Sequence, residues 1–318
     1  MHFLRQRLIQ LVIVLFAVTL LTFTLLRLLP GDPAIAIAGI GASPAKIEET
    51  RHKWGLDEPI PVQYVKWVGK TLTGDLGLSS AFNVKVSTLV SERLPVTLWL
   101  MFYAMFFSLL IAVPLGIWTA YRANRPADRV ISTVSFGLLS LPPYILGVLF
   151  VYIFALRLGW FPALSHYVSP FEDPAEHFKS MFLPALTLAL GLVAVFQRLL
   201  RADMVGTLQN DYITMARAKG MSTNRILFRH ALRPSTFSLI TAAAVNVGAL
   251  IGGAVIVETI FGLPGMGDLT VQAIFRRDFL VVQFCVMIFA FGFVLINFFV
   301  DLLYSVIDPR IRHARALV

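Results

Sequence analysis

The sequence has little charge and almost no cysteine. Charged residues make up 14% of the 318 positions, where an ordinary soluble domain carries about a quarter. The single cysteine, Cys285, lies inside an apolar run, so neither an internal disulfide nor a cysteine-based zinc site can form. Six histidines, His2, His52, His166, His177, His230 and His313, are scattered with no helical pair among them, which argues against a metal site. No G-x-x-x-x-G-K-[ST] phosphate loop is present, so the chain does not cradle ATP by that route. Acids are outnumbered, 18 against 27 Lys and Arg, for a net charge of +9. A nucleic-acid binder would need such charge as a patch on a soluble fold with groove-reading or stacking elements, and none occurs.

What is present is hydrocarbon. Hydrophobic residues are 57% of the chain and mean hydropathy is +0.77, the composition of a protein that lives in a bilayer. Apolar runs long enough to cross one, about 20 residues, occur near 8–29, 96–120, 130–156, 182–200, 236–260 and 279–304. The expectation is an all-α integral membrane protein with six transmembrane helices. The fourth run is the weakest, and a five-span arrangement is the alternative. The first run, preceded by Arg5 and Arg7 and followed by the small residues Ala36-Ile37-Ala38, has some features of a cleaved leader. Its apolar core exceeds the 7–15 residues of a signal sequence, so it is read as a retained anchor.

Basic residues set the orientation. With both termini in the cytoplasm the inner segments hold 15 Lys and Arg, against 5 outside once the long 30–95 segment is set aside. That is the asymmetry expected of inner loops. The domain reading is then 1–29 as start and first span, 30–95 as an external region with short helices, and 96–318 as a five-helix membrane core. In the external region Ser43 can cap a helix opening at Pro44, with Gly55 just past its end. A second helix after EPIP carries Val62, Val65, Val68 and Leu72 at helical spacing beside Tyr64 and Trp67, the pattern of an interfacial helix.

Between the fourth and fifth spans stands DYITMARAKGMSTNRILFRHALRP, residues 211–234, inside an inward segment 201–235. Two short helices fit it: Asp211 caps the first, Gly220 ends it, Ser222 caps the second and Pro234 follows its close. Tyr212, Met215 and Ala216 fall on one side of the first, while Arg225, Arg229 and Arg233 form a basic stripe on the second with Leu227, Phe228 and Ala231 roughly opposite. Such a knob suits a protein groove; a basic loop resting on anionic lipid is the competing reading.

The order of those residues resembles the cytoplasmic EAA-type loop of permease subunits in binding-protein-dependent ABC importers, in the dipeptide/oligopeptide/nickel branch and its B-type subunit. FLRQRL, LLPGDP, GDLGLS, ETIFGLPGMG, RRDFLVVQ and the ending VDLLYSVIDPRIR extend the likeness over nearly the whole chain. Thr214, Met215 and Ala216 replace the Glu-Ala-Ala of the general pattern, and His230 and Arg233 replace its later Ile and Pro; Gly220 and Leu232 match.

The resemblance implies a type I importer permease fold in the bacterial or archaeal inner membrane. It also implies that Asp211, Tyr212, Met215, Ala216, Arg217, Ala218, Lys219, Gly220 and Met221 contact an ATPase. Implied partners are a homologous second permease forming a heterodimer, two ATPase subunits or domains that bind ATP and magnesium, and an extracytoplasmic substrate-binding protein. The chain itself would be no enzyme and hold no cofactor. The cargo would be di- or oligopeptides, with nickel, glutathione or another small solute as alternatives. Glu258, Phe261, Pro264 and Gly265 would lie at the outer mouth.

Within the membrane, Gly248 and Gly252 stand in a GxxxG relation, Asn246 is polar in an apolar run, and Pro142 and Pro143 interrupt the third span. One reading is tight packing with an interhelical hydrogen bond and a static kink. The other, aided by the resemblance, is a translocation path lined by these residues. A secondary transporter would carry ionisable groups near mid-membrane, whereas Arg27, Arg198, Glu258 and Asp301 sit at span ends. A scaffold without transport is the remaining alternative. Ala216→Asp is expected to leave membrane insertion intact and to uncouple the ATPase.

Overall fold

A computed structural model describes residues 2–28, 34–35, 41–53 and 55–307 of the chain. The LLPGDP motif beyond Leu28, the small residues 36–38 and the last residues, 308–318, lie outside the described residues. The described chain is helical. Helix α1 is His2–Leu28, α2 Pro44–Lys53, α3 Ile60–Leu72, α4 Val86–Tyr121, α5 Pro126–Ser140 and α6 Pro143–Phe150, the last continuing as a π-helical turn, Val151–Arg157. Then follow α7 Pro174–Leu208, α8 Asp211–Ala218, α9 Thr223–Arg225 with a π-helical turn Ile226–Ala231, α10 Leu232–Phe261, α11 Met266–Phe275 and α12 Phe279–Ile307.

By length and composition four stretches among the described residues can cross a bilayer: Val86–Tyr121, Pro174–Leu208, Thr223–Phe261 and Phe279–Val300. The pair α5 and α6 makes a fifth if counted as one broken span, and the described apolar part of α1, Leu8–Thr24, is shorter. The third span is more than kinked: α5 and α6 meet at 100°. Leu141 and Pro142 each precede a proline, which drives a residue out of the helical region. Leu141 sits at φ −90°, ψ 124° and Pro142 at φ −59°, ψ 140°. Two consecutive extended residues separate the helices, and Pro143 opens the second at the position where proline is tolerated.

The described residues form two compact units, those within 1–98 together with 264–298, and those within 99–263 together with the ones from 299 onward. In the first, Ser43 Oγ accepts the Lys46 amide at 3.3 Å, capping α2, and Gly55 is left-handed at φ +62°. In α3 the aromatic residues make the contacts. Tyr64 Oη lies 2.8 Å from Thr19 Oγ1 of α1, and Trp67 packs between Phe23 and Phe284 at 5.7 and 5.8 Å. Val62, Val65 and Leu72 remain exposed.

The motifs GDLGLS and RRDFLVVQ, some 200 residues apart, meet at Asp278. Its carboxylate accepts from Ser79 Oγ at 2.5 Å, from the Ala81 amide at 3.0 Å and from the Val281 amide at 3.2 Å. One buried side chain thus caps α12 and clamps the loop before α4, while Arg276 stacks over Phe82 at 4.6 Å. In the short helix α11, burial pushes the Asp268 carboxyl above its ordinary range; a hydrogen bond from Gln272 and the Arg93 guanidinium at 3.6 Å oppose this.

In the second unit a polar bracket holds three helices. Gln197 Nε2 donates to Thr119 Oγ1 at 2.9 Å, and Gln197 Oε1 accepts from Ser135 Oγ at 3.3 Å. Four residues further along α7, Arg201 makes two bonds of 2.6 Å to Asp128, which also accepts the Asn124 amide. Between the two polar layers Leu200 fills the space a side chain at Gly116 would need: a Cβ there would meet it at 3.0 Å.

Asp278→Ala leaves the Ser79 hydroxyl and the Ala81 amide without their acceptor, at about 1–3 kcal/mol per buried group. Hydrogen exchange across 79–82 should quicken by about tenfold or more, with 211–221 unchanged. Arg201→Met leaves the Asp128 carboxylate, 3% exposed, unpaired, and should lower thermal stability by about 3 kcal/mol or more.

Candidate functional site

The segment that joins α7 to α10 is built as a bracket around a small apolar nucleus. Ile213, Ala216 and Ile226 are buried together, with Leu208 from the end of α7 and Met221 packed on them. Only Gln209 and Asn210 separate α7 from α8: Asn210 caps α8 by position and Asp211 is its first residue, with no side-chain capping bond. Asp211 therefore acts as a charge beside the positive helix end, rather than as the cap expected from the sequence.

The close of α8 follows the expected rule. Gly220 is left-handed at φ +75°, the Gly220 amide donates to the Arg217 carbonyl at 2.9 Å and the Met221 amide to the Ala216 carbonyl at 3.2 Å. This pair of bonds is the Schellman arrangement, and Met221 reaching back onto Ala216 supplies its apolar contact. A Cβ at Gly220 would meet nothing within 4 Å, so its requirement is conformational rather than steric.

The second half of the segment departs from the expectation of a separate helix ended by Pro234. From Thr223 the chain runs as one helix through the π-helical turn into α10, a continuous stretch to Phe261. Pro234 stands in the first turn of α10, where it has no amide to give the His230 carbonyl; the Tyr212 hydroxyl approaches that carbonyl at 3.4 Å. The Ser222 hydroxyl makes no capping bond. Ser235 Oγ donates to the Ala231 carbonyl and lies 3.1 Å from Thr207 Oγ1, pinning the root of α10 to the end of α7.

Burial divides the proposed contact residues into two groups. Ala216 is 6% exposed and faces inward with Ile213, so it does not share an open face with Tyr212 and Met215. Those two are 45% and 59% exposed, and Arg217, Ala218 and Lys219 are exposed too. On the following helix Ile226, Leu227 and Ala231 are buried, but Phe228 is 59% exposed beside the arginines rather than opposite them.

The remaining candidates lie elsewhere and are not gathered with this segment. Asn246 is half-buried and its amide bonds within its own helix, to the Ala242 carbonyl at 2.8 Å. Of the glycines in α10, Gly248 is buried, Gly252 faces open space, and the close approach belongs to Gly253, whose Cβ would meet Leu188 at 3.1 Å. Pro142 is half-buried and Pro143 exposed at the break between α5 and α6. Gly147 of α6 lies against Phe261 and Thr187, where a Cβ would meet either at 3.4 Å. Glu258 and Phe261 are wholly buried within their unit, and the Phe261 carbonyl accepts the Ser165 amide at 2.7 Å. In the other unit Gly265 is buried and Pro264 half-buried.

Sequence reasoning missed Asp128, Arg201, Gln197 and Thr119. Gln197 and Arg201, one turn apart at the end of the apolar run of α7, were the available signal; their partners could not be read without the fold.

Comparison with known proteins agrees with this architecture. Residues 112–313 match the family described as binding-protein-dependent transport system inner membrane component. Residues 1–101 match the N-terminal region of the same kind of membrane component. The chain belongs to this family: it is a multi-pass inner-membrane permease subunit of a binding-protein-dependent ABC importer. A peptide transport system permease protein of Brucella abortus is 40% identical over 308 residues, covering 97% of this chain and 98% of the relative. The glutathione transport system permease protein GsiC of Escherichia coli K12 is 35% identical over 313 residues, covering 98% and 99%. Among solved structures, an inward-facing MetNI methionine ABC transporter aligns with a TM-score of 0.57 at 19% identity, covering 69% of this chain and 96% of that one; this likeness concerns the fold alone.

A carboxylate placed at Ala216 would enter the apolar nucleus, so Ala216→Asp probes loop packing rather than an open contact face. Proteolysis between 211 and 225 should accelerate at least about tenfold in that variant, reflecting the cost of about 1–3 kcal/mol or more for a buried unsatisfied polar group. Gly220→Ala should cost about 1–2 kcal/mol through its left-handed backbone and accelerate the same cleavage less.

Proposed function

We propose that this chain carries short peptides across the membrane as one of two related permease subunits, driven by separate ATPase chains through the 211–221 segment. The observation that carries the reading is mechanical. Helix α8 rests on Leu208 at the end of α7 and on Ile226 of the helix that becomes α10. A push on α8 must therefore move the roots of two long membrane helices together. Tyr212 and Met215, exposed and apolar, are the face offered to an ATPase groove, with Arg217 and Lys219 beside them.

The topology in this reading has six spans, counting α1 and the broken α5–α6 pair, with both termini and the 201–235 segment in the cytoplasm. The partition of Lys and Arg supports it. The domain division of the sequence reading, 1–29, 30–95 and 96–318, is kept as a functional one, the middle part facing the substrate-binding protein. ATP and magnesium belong to the ATPase chains, and this chain holds no cofactor and catalyses nothing. Pro142, Pro143, Asn246, Gly248 and Gly252 are assigned to the passage, and the 258–265 turn to its outer mouth.

Peptide cargo is supported by the relatives named for peptide transport. The relative named for glutathione fits the same class, since glutathione is itself a short peptide.

Met215→Asp combined with Tyr212→Ala should leave the chain in the membrane at normal level. Co-purification of the ATPase chains and peptide uptake in proteoliposomes should each fall at least about tenfold, on the order of 1.4 kcal/mol or more. Uptake and assembly unchanged in this double variant would reject the segment as the ATPase contact.

A further inference from the structure

Arg225, Arg229 and Arg233 are exposed, and within the described residues none of them forms an ion pair or a side-chain hydrogen bond. They stand on the continuous helix that runs from Thr223 to Phe261. Four-residue spacing on an α-helix drifts by about 40° per step at 3.6 residues per turn. The π-helical turn at Ile226–Ala231 closes its bonds one residue later and so rotates less per residue, largely cancelling the drift. The arginines consequently line up opposite the buried Ile226, Leu227, Ala231 and Ser235. The same line continues upward into Phe237 and Ile240, 50% and 39% exposed. One edge of one helix thus changes from three cations to apolar side chains without a break.

We propose that Arg229 and Arg233 hold the phosphate of an anionic phospholipid headgroup, making this edge a lipid-binding site distinct from the ATPase face on α8. The proposal rests on the reading that this end of the helix faces the cytoplasmic leaflet. At 1.5 Å per residue, Arg233 lies about 6 Å below Phe237 along the axis, Arg229 about 12 Å and Arg225 about 18 Å. The headgroup layer outside the hydrocarbon core is about 5–8 Å thick. Arg233 falls inside it, Arg229 reaches it with its side chain, and Arg225 lies beyond. A planar guanidinium suits a phosphate because it donates two parallel hydrogen bonds. Phe237, one turn above Arg233, gives the acyl chain an apolar surface.

The test uses the assembled importer in nanodiscs of mixed phosphatidylglycerol and phosphatidylcholine, with retained lipid counted by native mass spectrometry. The wild type should retain phosphatidylglycerol over phosphatidylcholine. Arg229→Gln with Arg233→Gln should lower that preference at least about fivefold, whereas Arg229→Lys with Arg233→Lys should stay within about threefold of wild type. Arg225→Gln should change it less than about twofold. Undiminished preference in the double Gln variant overturns the proposal. So does loss of ATPase chains from the Gln variants with lipid retention unchanged, which would make the stripe part of a protein contact. Failure of the Met215 and Tyr212 test alone would leave lipid retention untouched, so the two readings fail separately.

Discussion

A polar side chain on a membrane helix has no water to turn to and must find its partner in the protein. That constraint organises the second unit. Gln197 and Arg201, one turn apart on α7, reach Thr119 on α4 and Ser135 and Asp128 on α5. These bonds set both distance and rotation between helices, which apolar packing alone leaves degenerate. Below them α7 ends at Leu208, and everything in the candidate site is referred to that end: α8 packs on it and α10 is pinned beside it by Ser235 and Thr207.

Much of this was legible in the sequence because it is local. Apolar length marked the membrane-crossing helices, and Gly220 ended α8 as its freedom at positive φ requires. Other features depended on competition between neighbours. Pro142-Pro143 read as a kink, yet the restriction acts on the residue before each proline, so Leu141 and Pro142 both leave the helix and the span breaks. Pro234 read as a terminator, yet proline is tolerated where a widened turn and an outside donor, Tyr212, attend to the freed carbonyl. Ala216 read as sharing an open side with Tyr212 and Met215 because helical spacing groups the three. Which side of a short helix turns inward is decided by what lies beneath it, here Ile226, and spacing cannot supply that.

The long-range pairs were beyond reach for a different reason. Asp278 with Ser79, and Arg201 with Asp128, join positions far apart in the chain, and nothing in either local stretch names the other. What the sequence did offer was a charged residue just beyond an apolar run, Arg201 after the fourth and Asp278 before the last. Arg201 fastens α7 to α5, and Asp278 fastens the loop before α4 to the start of α12.

The fusion of the basic segment to α10 has a mechanical consequence. A helix of 39 residues is a rod about 58 Å long, its helical backbone running unbroken through Gly248, Gly252 and Gly253 from its foot beside α8 to its Gly262 terminus. Tilting such a rod by a few degrees at one end displaces the other by several ångströms. On the proposed function, such a rod would need no relay of side chains to report across the bilayer, because one piece of backbone joins the basic segment to the far end of the helix.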